Sequence, residues 1–166
     1  MATQHGTVRF HMDGPTLLLQ VEGWGTMNQS LPLRRFVNEH IAGATTTVWV
    51  DLRQCTYLDS TFLGTLLFLQ RACMRRGDRE FYLLSPSREC LNLLEQMGVV
   101  DVFHIRAVEE AAPSCWTVLS KEPEDKLGLQ RTVIQAHEEL ASLPGAAGAP
   151  FRAVVRCLAR DMEKLP

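Results

Sequence analysis

The chain has 166 residues, 46% hydrophobic and 22% charged, with a formal net charge of −2, a composition that suits one globular core with an appendage. Basic and acidic residues are intermixed in both parts of the chain and no stripe suited to a phosphate backbone stands out, which argues against nucleic acid as a partner. No window approaches the roughly 20 apolar residues of a spanning helix and Met1 to Met12 lacks an apolar core of signal-peptide length, so a soluble cytoplasmic protein with no membrane insertion is expected.

In chain order, Thr7 to Met12 and Thr16 to Val21 flank Asp13-Gly14-Pro15 and read as an antiparallel hairpin, which Gly23-Trp24-Gly25 then breaks. Ser30 is the expected N-cap, with Pro32 in the first turn, of a helix carrying Leu33, Phe36, Val37 and Ile41 on one face and ending at Gly43. Val48 to Leu52 is short, apolar and β-branched, as in a strand buried on both faces. A turn segment to Leu58 leads into Asp59-Ser60-Thr61 and a long apolar helix from Phe62 to Met74. This helix sends Leu63, Leu66, Leu67, Leu69 and Cys73 to the core before Arg71, Arg75, Arg76 and Gly77 close it.

Phe81 to Leu84 is a further strand. Ser87 caps a short helix with Leu91 and Leu94 inward and Gly98 as terminator. A last short strand lies within Val99 to Ile105, and a weak helical turn covers Val108 to Ala112. The alternation predicts an α/β fold: a small mixed, mostly parallel four- to five-stranded sheet with right-handed crossovers, covered by helices on at least one face.

After about Leu119 the pattern changes. Leu129, Val133, Ala136 and Leu140 form one apolar helical stripe, and Phe151, Val154, Val155, Leu158 and Met162 a second. Between them lies a link of small residues, Pro144 to Pro150. The expected organisation is a domain over residues 1–118 and an extension over residues 119–166. The two amphipathic helices of the extension pack against the domain or mediate a homodimer. Arg152, Arg156 and Arg160 make a basic ridge on the last helix, read as a solvated face.

The five cysteines, Cys55, Cys73, Cys90, Cys115 and Cys157, are odd in number, widely spaced and free of C-x-x-C pairs. They read as reduced thiols, without bridges or zinc ligation. The five histidines show no metal-ligand spacing and read as surface or capping groups. Asp51 stands alone as a carboxylate at a strand end, more a turn residue than a metal ligand. No metal and no cofactor are expected.

The strand, exposed turn and helix from Val48 to Gly77 place Ser60 at a helix N-terminus beyond the carboxyl end of a strand, where sites in open α/β sheets tend to lie. A hydroxyl there is either an N-cap worth ~1 kcal/mol or a site for a kinase, whose phosphate the first-turn N–H groups would tolerate. From roughly Thr7 to Ile105 the chain resembles a STAS domain, the fold of bacterial anti-sigma-factor antagonists. The resemblance is carried by Val48-Trp49-Val50-Asp51-Leu52, by Leu58-Asp59-Ser60-Thr61 with Leu63-Gly64, and downstream by Phe81 to Ser85 and Leu94 to Val99. It implies that Ser60 (second choice Thr61) is phosphorylated by a partner that is both serine kinase and anti-sigma factor, and that a phosphatase resets it. Asp59 is the acid beside it.

Where such antagonists usually have glycine two residues after the serine, Phe62 stands here, offering bulk and apolar area. Asp59, Ser60, Thr61, Phe62 and Trp24 are thus the expected partner-binding residues, with Trp24 and Phe62 as an exposed aromatic pair or Phe62 in the core. Three function classes follow. The first is a non-enzymatic partner-switching module in transcription regulation. The second is a STAS adaptor subunit of a larger complex, such as a lipid-transport ATPase or a sensory assembly, without phospho-switching. The third and weakest is an enzyme with Asp59 and Ser60 as a nucleophilic pair, since no G-x-S-x-G elbow and no base at motif spacing accompany them.

Overall fold

The computed structural model describes residues 5–109, 112–121 and 123–164. Its first two strands, β1 (Gly6–Asp13) and β2 (Thr16–Gly25), pair antiparallel from Gly6↔Gly23 to Asp13↔Thr16. The two-residue turn between them places Gly14 at φ 55°, a left-handed conformation that glycine adopts without steric cost.

Three crossovers follow. Helix α1 (Met27–Ala42) leads to β3 (Thr47–Asp51), which runs parallel to β2. After β4 (Cys55–Leu58), helix α2 (Ser60–Arg75) leads to β5 (Glu80–Leu84), parallel to β3. Helix α3 (Arg88–Gln96) and a 3-10 turn at Val100–Val102 lead to β6 (Ile105–Arg106), parallel to β5. A final strand, β7 (Thr117–Val118), returns antiparallel to β1. The sheet runs β6-β5-β3-β2-β1-β7, with β4 beside the far end of β2.

This is the predicted mixed, mostly parallel α/β sheet, with two strands more than expected, β7 at the β1 edge and β4 at the end of β2. Gly23-Trp24-Gly25 does not break β2. The strand bulges between Gly23 and Trp24, with Gly23 at φ 76°, and continues to pair with β4, a segment whose sequence reads as a turn. Helix α1 starts three residues before the expected cap. Thr26 is its N-cap, in a capping box with Gln29, and Ser30 lies inside the helix, buried and bonded through its hydroxyl to the Thr26 carbonyl. Pro32 therefore sits in the second turn. The helical turn expected over Val108 to Ala112 falls partly on residues 110 and 111, outside the described residues, and the described residues there are not helical.

The core builds from cross-strand rows. Leu17, Val48 and Phe81 form one row and Leu19, Val50 and Leu83 the next, all at 1% exposure or less. They pack under Leu33, Val37 and Ile41 of α1 and the apolar residues of α2, each such side chain contributing about 1.5–3 kcal/mol by burial. The opposite row, Leu18, Trp49 and Tyr82, is only half-buried. The strand at Val48 is thus buried on one face, not both, because the helices of the domain cover a single side. In α3 the inward residues are Cys90 and Leu94, with Leu91 half-buried.

The extension forms helices α4 (Lys126–Ala141) and α5 (Ala149–Glu163), with Pro150 in the first turn of α5, where its missing N–H is no loss. They fold back as a hairpin on the domain. Helix α4 lies on α2 and the edge of α1, and α5 lies on α4. Ten of the 16 residues of α2 are buried, including Thr61, Gly64 and Thr65, because the sheet lies below this helix and α4 above it. The buried stripe of α4 is Thr132, Ala136, His137 and Leu140, rotated from the predicted one; Leu129 and Val133 turn toward α5 instead. Of the stripe on α5 only Phe151 is buried, and Val154 and Met162 are exposed.

Candidate functional site

The end of β2 sets the site. The Gly25 carbonyl accepts the Asp59 N–H at 2.9 Å, which brings residue 59 beside the first turn of α1 as well as that of α2. The Asp59 carboxylate then caps both helices: one oxygen accepts the Phe62 N–H and the other the Met27 N–H, each at 2.8 Å. Two helix N-termini, each carrying positive partial charge, converge on one carboxylate. Asp59 thereby has a structural role that accounts for an acid at this position.

Ser60 is the first residue of α2 and is partly exposed. Its Oγ lies 3.0 Å from Nε2 of His137 on α4. The other ring nitrogen, Nδ1, lies 2.7 Å from the Val133 carbonyl, which only accepts, so in the neutral ring Nδ1 carries the hydrogen and Nε2 accepts from the Ser60 hydroxyl. His137 is 7% exposed, against the expectation that the histidines are surface or simple capping groups.

One turn further on, Gly64 lets the two helices touch through their backbones. A Cβ at Gly64 would stand 2.1 Å from the Ala136 carbonyl oxygen. Beyond it, Arg71 pairs with Glu139 at 2.6 Å, and on α1 Arg34 donates to Thr132 at 3.4 Å. Burial pulls the Arg34 guanidinium pKa below its ordinary value, with the charge of Arg35 acting in the same direction and that of Glu139 opposing.

The other expected contact residues separate. Thr61 is 5% exposed and Phe62 fully buried, its ring lying against Gly25, where a Cβ would meet it at 2.7 Å. The bulk at position 62 therefore fills the core over a glycine of β2 and does not reach a partner. Trp24 pairs instead with Tyr57, ring centroids 5.0 Å apart, on a half-exposed surface. Of the expected site residues, Asp59 and Ser60 stay together, Trp24 stands on β2 against Tyr57, and Thr61 and Phe62 point inward. Asp51, 1% exposed, is held by the Arg53 fork at 2.6 to 3.1 Å, an ion pair that raises the Arg53 pKa and satisfies the carboxylate without a metal. Among the described residues no three His, Cys, Asp or Glu side chains gather as metal ligands.

His137 and Ala136 are the site residues that sequence reasoning missed. The available signal was position: His137 lies four residues after Val133 and next to Ala136, on the inner side of an amphipathic helix. Chemically, the pair places a proton acceptor on the Ser60 hydroxyl, as a nucleophile and base would, with a carbonyl orienting the imidazole. The same helix covers the approach to that hydroxyl.

Comparison with curated proteins gives no match. Among solved structures, the unphosphorylated anti-sigma factor antagonist SpoIIAA is similar at TM-score 0.54 and 19% identity, over 62% of this chain and 89% of that one. The phosphorylated form of the Bacillus cell fate determinant SpoIIAA is similar at TM-score 0.52 and 19% identity, over 62% and 92%. The crystal structure of protein TM1081 from Thermotoga maritima matches at TM-score 0.51 and 15% identity, over 58% and 82%. These likenesses concern the fold. The family described as "Mlab, STAS domain" matches residues 8–106, from β1 through β6. That match spans more than half of the sequence, and the chain belongs to the STAS domain family.

Proposed function

We propose that this protein is a non-enzymatic regulatory module that binds a partner through the surface around Asp59 and Ser60, with phosphorylation of Ser60 as the signal. The observation that carries the reading is the placement of Ser60. It is the partly exposed hydroxyl at the start of α2, while the adjacent Thr61 is buried, so an incoming kinase has one acceptor in this turn. The positive end of the helix dipole tolerates a phosphate there, so the charge acts on whatever packs over the turn more than on α2 itself. SpoIIAA, which shares the fold, is known in unphosphorylated and phosphorylated forms, and an anti-sigma-factor kinase with an opposing phosphatase is the partner set this reading takes over. Capture from a lysate of the protein's own cells tests it. Wild type and Ser60→Ala should retain a common partner that Ser60→Asp loses, with circular dichroism unchanged among the three.

A second reading is favoured by the cover that α4 places over Ser60. In an adaptor subunit of a larger assembly, such as a lipid-transport ATPase or a sensory complex, the hydroxyl is a packing group and the exposed Val154 and Met162 of α5 are contact surface. Retention of the same partners by wild type, Ser60→Ala and Ser60→Asp, together with their loss in Val154→Asp, would select it.

A further inference from the structure

We infer that the α4–α5 hairpin is a displaceable intramolecular cover over Ser60, and that docked α4 and phosphorylated Ser60 exclude one another. The inference rests on the reading of Ser60 as the phosphorylated residue and adds how access to it is controlled.

The exclusion follows from space and charge. With Nδ1 donating to the Val133 carbonyl, Nε2 of His137 offers a lone pair and needs a donor, which the Ser60 hydroxyl supplies. Phosphorylation by a nucleoside triphosphate moves the terminal phosphoryl group onto Ser60 Oγ, expels the diphosphate and releases the hydroxyl proton. The product carries acceptor oxygens and about −1.5 to −2 charges. With the imidazole nitrogen 3.0 Å from Oγ, docked α4 leaves no room for the added group between them, and the neighbouring Asp59 carboxylate, committed to its two caps, adds a like charge. The docked helices are in backbone contact, the Ala136 carbonyl resting where Gly64 has no side chain, so the contact leaves no spare volume beside Ser60. The added group and the imidazole compete for the same space.

The cover is also imperfectly held. Gln135 Oε1 on α4 is buried without a partner among the described residues. Arg34 is partly desolvated in the seam, while its neighbour Arg35 pairs with Asp125, the N-cap of α4, at 2.6 Å. A crevice of about 460 Å³ lined by Arg34, Asn38, Thr132 and Gln135 keeps much of the α1–α4 seam open to solvent. Against these stand the burial of Leu140, Leu143 and Phe151 and the Arg71–Glu139 pair. Contacts of this mixed polar kind between parts of one chain resemble transient interfaces, for which relative motion is the default. The family match ends at residue 106, before the cover begins.

Amide hydrogen exchange on the 166-residue chain tests the cover without any partner. Two variants lift α4 by different means: Ser60→Asp by charge at the contact, and Gly64→Ala by a methyl group aimed at the Ala136 carbonyl. Alanine is the better helix former, so the second change does not weaken α2 itself. Both should raise exchange over residues 127–141 at least about tenfold, equivalent to about 1.4 kcal/mol, while amides of β3 and β5 keep their protection. Unchanged exchange over α4 in Ser60→Asp overturns the inference, because the docked helix then accepts the charge. Joint loss of protection in α4, β3 and β5 also overturns it, since α4 is then part of the cooperative core. Exchange in α4 that responds to Ser60→Asp while partner capture does not would uphold the cover and remove the phospho-switch reading.

Discussion

Replacing Asp59 with alanine isolates the claim that one carboxylate caps two helices. The substitution removes the acceptors of the Phe62 and Met27 N–H groups, both at 2.8 Å, and the charge that serves both N-termini. Loss of a side-chain cap costs ~1 kcal/mol, and a charge at a helix N-terminus contributes ~0.3–1 kcal/mol. Helix α1 keeps its Thr26–Gln29 capping box, which limits the damage there. The sum is ~2–3 kcal/mol, which for a domain of this size lowers Tm by roughly 5–10 °C. The Asp59→Asn variant keeps one acceptor oxygen without the charge, so it should fall about halfway on the same scale. Thermal and urea unfolding followed by circular dichroism read both. An Asp59→Ala protein that melts within about 2 °C of wild type would refute the double cap and return Asp59 to a purely functional role.

Phe62→Ala should destabilise by ~3–5 kcal/mol in urea titration, since it empties a fully buried ring site over Gly25; a change below ~1 kcal/mol would mean the ring is not core. Ser60→Ala leaves His137 Nε2 without its donor and should cost ~1 kcal/mol, seen as a small drop in the urea midpoint, whereas no change would show that the contact contributes nothing. Thiol titration at about pH 8 should label Cys115 and Cys157 only. Burial pushes Cys73 up to about 11, and hydrogen bonding to Cys90 with desolvation raises Cys55; the same bond lowers Cys90, whose full burial keeps reagent out, and fast labelling of a third thiol in the native protein contradicts that packing. A chain ending at residue 120 should keep the sheet, with far-ultraviolet circular dichroism reduced only by the two lost helices, and collapse of the β signal would make the extension indispensable to the core.

The main strands and the helices between them were legible because their signals are local: period-two rows in the hairpin, β-branched apolar runs, and Ser87 and Gly77 as punctuation. What escaped was tertiary. Cys55-Thr56-Tyr57-Leu58 has two exposed middle residues, and only pairing with the bulged end of β2 makes it a strand. Thr117-Val118 is similarly too short to announce itself without β1 beside it. Ser30 outranks Thr26 as a cap on composition, but the capping box and the Asp59 contact at Met27 fix the start earlier. In the site, the position of Ser60 followed from the strand-turn-helix order. The inward turn of Phe62 depended on space over Gly25, and the Ser60–His137 contact joins residues 77 apart, which no motif spacing encodes.

Phosphosite mapping on protein isolated from its own cells tests the central claim most directly. Trypsin releases residues 54–71 as one peptide, which contains Thr56, Tyr57, Ser60, Thr61 and Thr65. A phosphate localised by fragmentation to Ser60 is expected, with buried Thr61 and Thr65 unmodified. Phosphate on Thr61 in place of Ser60, or an unmodified peptide under every growth condition in which the protein is present, would contradict it.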